Sequence, residues 1–109
     1  MRYCLALDLK NDPQLIKEYE DLHKKIWPEI DLSIKQSGIT SMEIYRFQNP
    51  LFMIMETSED FSFEQKQLMD EQNATVQKWE QMLWRYQQAL PGSEKGEKWK
   101  LMDKIFELE

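Results

Sequence analysis

Ile39-Thr40-Ser41-Met42-Glu43-Ile44-Tyr45-Arg46-Phe47, then Gln48-Asn49-Pro50, then Leu51-Phe52-Met53-Ile54-Met55-Glu56-Thr57 is the stretch that decides the fold. Two strand-like runs joined by so short a turn predict an antiparallel hairpin. The second run is apolar at five successive positions from Leu51 to Met55, the pattern of a strand covered on both faces. Upstream, Arg2 to Leu9 alternates Tyr3, Leu5, Leu7 and Leu9 with Cys4, Ala6 and Asp8, and reads as another strand. Between them, Asn11-Asp12-Pro13 predicts a helix start, with Asp12 as cap and Pro13 in the first turn. That helix carries Leu15, Tyr19, Leu22, Ile26 and Ile30 on one stripe. Pro28 predicts a kink or break, because proline removes a donor and disfavours helical geometry at Trp27. A short helical piece then runs to Gly38, a candidate left-handed cap.

Downstream, Phe61 to Met69 predicts a short helix, and Asn73 caps a longer one reaching about Leu90 before Pro91-Gly92. Trp99 to Leu108 reads as the last strand. The order strand, helix, strand, strand, helix, strand is the α+β, ferredoxin-like βαββαβ pattern, with a four-stranded antiparallel sheet and residues 1–109 as one domain. Its helices can cover only one face of the sheet. An apolar strand such as Leu51–Met55 would leave a large greasy patch on the other, which soluble monomers rarely show. A second copy is therefore expected there, sheet against sheet, as a homodimer of the dimeric α/β barrel type.

Composition narrows the function. A chain of 109 residues, 41% hydrophobic and 12% aromatic, builds one modest core. A net charge of −6 with no basic stripe argues against nucleic acid. No apolar run approaches a membrane span, and the N-terminal run is short, broken by Asp8 and without a cleavage site. One cysteine, Cys4, allows no internal disulfide and is read as a small buried filler. The expected setting is the cytoplasm. One histidine, scattered carboxylates and three glycines leave no metal cluster, calcium loop or phosphate loop, so no cofactor is expected.

The chemistry that remains centres on Tyr19, His23 and Trp27, spaced four apart and thus on one helix face, ending in Ile26-Trp27-Pro28-Glu29. Read as packing, they are an aromatic stripe. Read as chemistry, an imidazole between two aromatic walls is a proton-transfer group near neutral pH. Trp79, Met82, Leu83 and Tyr86 make a second stripe that serves a core, with Glu80 turned about 100° away. Tyr45 on the second strand can approach the helices. Such a set would stack on the C–H face of a sugar and bond its hydroxyls.

These residues resemble the L-rhamnose mutarotase family over nearly the whole chain. The specific piece is Tyr19-x3-His23-x2-Ile26-Trp27-Pro28-Glu29; Glu43-Ile44-Tyr45, Leu51 to Glu56, Trp79 before Tyr86, Leu90-Pro91 and Lys104-Ile105-Phe106-Glu107-Leu108 support it. The resemblance implies a small dimeric ferredoxin-like enzyme that interconverts anomers of 6-deoxy sugars. It implies His23 as general acid/base, Tyr19 as a sugar ligand and Trp79 as a pocket wall. Two positions depart from the rhamnose pattern: Trp79 is followed by Glu80 instead of a second tryptophan, and Met42 stands where a strand tyrosine is usual. With Gly96-Glu97-Lys98-Trp99, these resemble the L-fucose mutarotase branch. A carboxylate in place of an indole adds an acceptor suited to an axial hydroxyl. The expected substrate is therefore L-fucose, with L-rhamnose next. The expected sugar contacts are Tyr19, Trp27, Met42, Tyr45, Trp79 and Glu80. The rival readings are a non-catalytic sugar-binding module and a dimeric ferredoxin-like monooxygenase, the latter resting on fold analogy alone.

Overall fold

The computed structural model describes all of residues 1–109. Three long strands, β1 (Arg2–Leu9), β2 (Ile39–Arg46) and β3 (Pro50–Thr57), form the sheet with two short ones, β4 (Gln87–Gln88) and β5 (Lys100–Leu101). Helices α1 (Pro13–Lys24) and α2 (Pro28–Gln36) connect β1 to β2, and α3 (Phe63–Glu71) and α4 (Ala74–Leu83) follow β3. All pairings are antiparallel, in the order β2-β3-β1-β4, with β5 also on β1. This is the ferredoxin-like order expected from the sequence, but with five strands in place of the expected four, because Gln87–Gln88 and Lys100–Leu101 each take part of the free edge of β1.

The local signals act as their chemistry dictates. The Asp12 carboxylate accepts from the N–H groups of Gln14 and Leu15 at 2.9 and 3.2 Å. α1 stops at Lys24 and α2 restarts on Pro28, with Trp27 extended as a residue before proline must be. Gly38 closes α2 at φ +101°, and a Cβ there would meet Ser58 Oγ at 2.9 Å. Glycine is required at this position for both backbone conformation and space.

Register assigns the two sheet faces. Leu5 lies opposite Met53 and Leu7 opposite Leu51, under the helices; Leu7 and Leu9 are the most deeply buried side chains. Cys4 lies opposite Ile54 and Ala6 opposite Phe52 on the other face, where they are only half-buried. Within one chain, β3 is therefore sealed on one face and partly open on the other. Cys4 is correspondingly not a fully buried filler. No helix is long and apolar enough to cross a membrane.

Two segments differ from the expectation. α4 ends at Leu83 instead of running to Leu90, and Gln87–Gln88 pairs with Asp8 and Leu9. The edge of β1 supplies hydrogen bonds that a longer helix would forgo: Lys10 N–H donates to the Tyr86 carbonyl at 2.8 Å. The last strand is shorter than Trp99–Leu108. Only Lys100–Leu101 pairs with β1, and Met102 N–H adds one bond to the Cys4 carbonyl at 2.8 Å. Beyond it, Ile105, Phe106 and Leu108 find no surface on this chain to bury against and stay exposed.

Candidate active site

Tyr19 and His23 occupy the last turns of α1, with ring centres 4.3 Å apart. His23 Nδ1 lies 2.9 Å from the Tyr19 carbonyl oxygen. A carbonyl only accepts, so Nδ1 carries the proton and Nε2 keeps its lone pair. Burial pulls the imidazole below its ordinary value of 6.5, against the upward pull of that carbonyl and of the Glu80 charge. At neutral pH His23 is therefore a neutral base with a fixed tautomer.

Tyr19 is almost wholly buried, and burial pushes its phenol up to about 12. Its oxygen accepts from the Gln87 side-chain N–H at 3.3 Å, which works in the opposite direction. The phenol thus stays protonated and keeps its O–H to give.

α4 brings the opposite wall. The Trp79 ring stands edge-on to His23 at 5.9 Å. Glu80 holds Lys98 through both its carboxylate Oε2, at 2.6 Å, and its carbonyl, at 2.7 Å. The Lys98 side chain is only 13% exposed, and burial lowers its ammonium from the usual 10.5 while Glu80 resists. Lys98 also lies 4.8 Å over the Trp84 ring, an arrangement favourable for a cation. The ion pair fixes one carboxylate oxygen of Glu80.

Tyr19, His23, Met42, Trp79 and Glu80 line one cavity of about 310 Å³ between the helices and the sheet. That is near the lower bound of small-molecule sites, which span roughly 300–1,000 Å³. The walls are mostly apolar, with the polar groups gathered at few points, as such sites require. No group of three or more His, Cys, Asp or Glu side chains is placed to hold a metal ion.

Two expected contacts lie elsewhere. Tyr45 lies opposite Phe52 on the far face of the sheet, 53% exposed, and bonds Glu43 at 3.1 Å. Met42 and Tyr45 are three residues apart on one strand, so the period of two sends them to opposite faces. Trp27 packs edge-on behind Trp79 at 4.9 Å and borders a separate hollow with Glu18, Asp21 and Lys25. The extended backbone before Pro28 swings it off the His23 face. It supports Trp79 and does not line the cavity.

The structure adds wall residues that the sequence did not single out as site residues, among them Gln87, Trp99, Ser33 and the ion pair Lys66–Asp70. Gln87 arrives by its pairing with Leu9, which turns its side chain to the helix-covered face. Read as part of a helix, it carried no signal. Trp99 arrives from the loop before β5, and the run Gly96 to Trp99 was its only sequence hint.

Comparison with known proteins bears on the family and the fold. Residues 2–108 match the family model for L-rhamnose mutarotase. The chain is 42% identical over 109 residues to the L-fucose mutarotase of Xanthomonas campestris pv. campestris, covering 98% of this chain and 87% of that protein. Among solved structures, the L-rhamnose mutarotase of Formosa agariphila superposes with a TM-score of 0.73 at 20% identity, covering 100% of this chain and 99% of the other. A dimeric ferredoxin-like protein from an uncultured marine organism gives 0.59 at 12% identity, covering 98% and 96%. The structural likenesses show the fold, and the sequence matches show the family. This chain belongs to the L-rhamnose mutarotase family, isomerases that act on carbohydrates.

Proposed function

We propose that this protein interconverts the α and β anomers of a 6-deoxy-L-hexose, L-fucose ahead of L-rhamnose, with His23 carrying the proton. The observation that carries this reading is the neutral imidazole, its Nδ1–H tied to the Tyr19 carbonyl, in the wall of a monosaccharide-sized cavity. The anomeric hydroxyl gives its proton to Nε2. As the bond between C1 and the ring oxygen breaks, the ring oxygen takes a proton from the Tyr19 phenol or a bound water. Rotation about C1–C2 presents the other face of the aldehyde, and closure returns both protons. Atoms and charge balance over the cycle, and no cofactor enters. Glu80, with Oε2 on Lys98, offers its second oxygen to a sugar hydroxyl; Trp79 and Met42 supply apolar wall.

The preference for L-fucose is supported by Glu80 in the cavity wall and by the 42% identity to a protein of that name. The proposed setting is the cytoplasm, and the proposed assembly is a homodimer through the open sheet face. Phe52 and Ile54 on that face, and Ile105, Phe106 and Leu108 at 96%, 75% and 85% exposure on the tail, are the surface such a partner would bury.

Saturation-transfer NMR on L-fucose, L-rhamnose and D-galactose measures anomer exchange directly. The expected result is acceleration with L-fucose greatest, lost by about 10²–10⁴-fold in His23→Ala. Saturable sugar binding without faster exchange in the wild type would make the protein a binding module instead.

A further inference from the structure

We infer that the Gln87 carboxamide is a specificity-determining sugar ligand, bonding one substrate hydroxyl while it holds the Tyr19 phenol. The inference rests on the mutarotase reading and deepens it. Gln87 is 2% exposed, and its one side-chain bond is the N–H donated to Tyr19 at 3.3 Å. Its Oε1 is buried and has no partner. Buried side-chain oxygens are nearly always satisfied, so an orphan in a cavity wall calls for an explanation. Reversing the amide does not remove it: Tyr19 would then donate to the oxygen and an N–H would be left alone. In both orientations one amide group next to Tyr19 lacks a partner, and a hydroxyl, both donor and acceptor, satisfies either.

The placement fits the task. Gln87 shares the wall with Tyr19, His23 and Glu80. The pairing of β4 with β1 anchors its backbone, so the amide is held by strand geometry and not by a mobile loop. Gln87 and Glu80 enter from different elements, so each can address a different hydroxyl. A site that hydrogen-bonds a hydroxyl discriminates sharply against the sugar that lacks it, because the buried group is then stranded.

The test compares wild type and Gln87→Met, close in shape but unable to form these bonds, on L-fucose and on its analogues lacking one hydroxyl each. Wild type is expected to exchange one analogue at least tenfold more slowly than L-fucose. Gln87→Met is expected to slow L-fucose about tenfold or more and to treat that analogue and L-fucose alike. A uniform fall across all sugars, or no change, overturns the inference and leaves the mutarotase reading in place. A wild type that accelerates no sugar overturns the mutarotase reading itself. Should Gln87→Met not fold, the wild type decides: the Gln87 side-chain amide resonances must shift on saturation with L-fucose and not with the discriminated analogue. Unmoved resonances overturn the inference.

Discussion

On β1 the side chains of Leu5, Leu7 and Leu9 point under the helices, while Cys4, Ala6 and Asp8 point the opposite way; on β3 the same split separates Leu51, Met53 and Met55 from Phe52, Ile54 and Glu56. One face is sealed and carries the cavity with its titrating groups. The other carries Phe52 and Ile54 beside the smaller Cys4 and Ala6, with Asp8 and Glu56 at its ends, and no helix covers it. The difference teaches that apolar surface does not make a site. What distinguishes the first face is a helical roof whose burial depresses His23 and raises Tyr19, widening the pH range in which both are neutral. The second face has no such roof, and its half-buried Phe52 and Ile54 are where the proposed dimer is tested.

That contrast breaks most sharply at His23. The loss of exchange expected for His23→Ala, about 10²–10⁴-fold, should persist in protein that a thermal melt shows to be folded; the ring also packs against Tyr19 and Trp79, so some stability is lost with it. A comparable loss of folding would place His23 with the core instead. Beneath the same roof, Leu7→Ala should cost about 2–5 kcal/mol in denaturant unfolding, because Leu7 is fully buried and its cavity cannot collapse. On the open face, Phe52→Glu should convert a dimer to a monomer by light scattering at micromolar concentration. A wild type already monomeric under those conditions would remove the dimer.

The pH profile sharpens the contrast further. Burial depresses His23 below 6.5, so its base form persists into mildly acid solution and the exchange rate should fall only below that value. On acidification the unfolded chain takes up this proton before the folded one does. The contribution of His23 to stability is therefore fully present above 6.5 and is lost as pH falls through the depressed folded value. An acid limb centred above 6.5 would contradict the burial argument. The smallest effect belongs to Tyr45→Phe: the hydroxyl is exposed on the far face, and exchange should stay within about twofold of wild type.

The strands and helix starts were legible because their signals are local. Asp12-Pro13, Pro28, Gly38 and the hairpin turn before Leu51 act through backbone sterics and capping, which a sequence displays directly. Tyr19, His23, Trp79 and Glu80 could be named from spacing and family resemblance. Tyr45 could have been excluded by parity with Met42, a rule of the strand itself. The end of α4 and the extent of the last strand were not legible, since both depend on which hydrogen-bonding groups β1 leaves open.

By itself the sequence determined the order of the three long strands and of the helices, the caps and breaks, and a lone imidazole beside a tyrosine one turn away; β4 lay hidden in what read as helix. Only the tertiary structure decided that Gln87 enters the cavity wall, that Trp27 stands behind Trp79, and that Lys98 clamps Glu80. The reason is range. Capping and alternation operate over a few residues of chain. The environment that sets a proton's affinity is made by groups remote in sequence, such as Gln87 beside Tyr19, and packing alone brings them together.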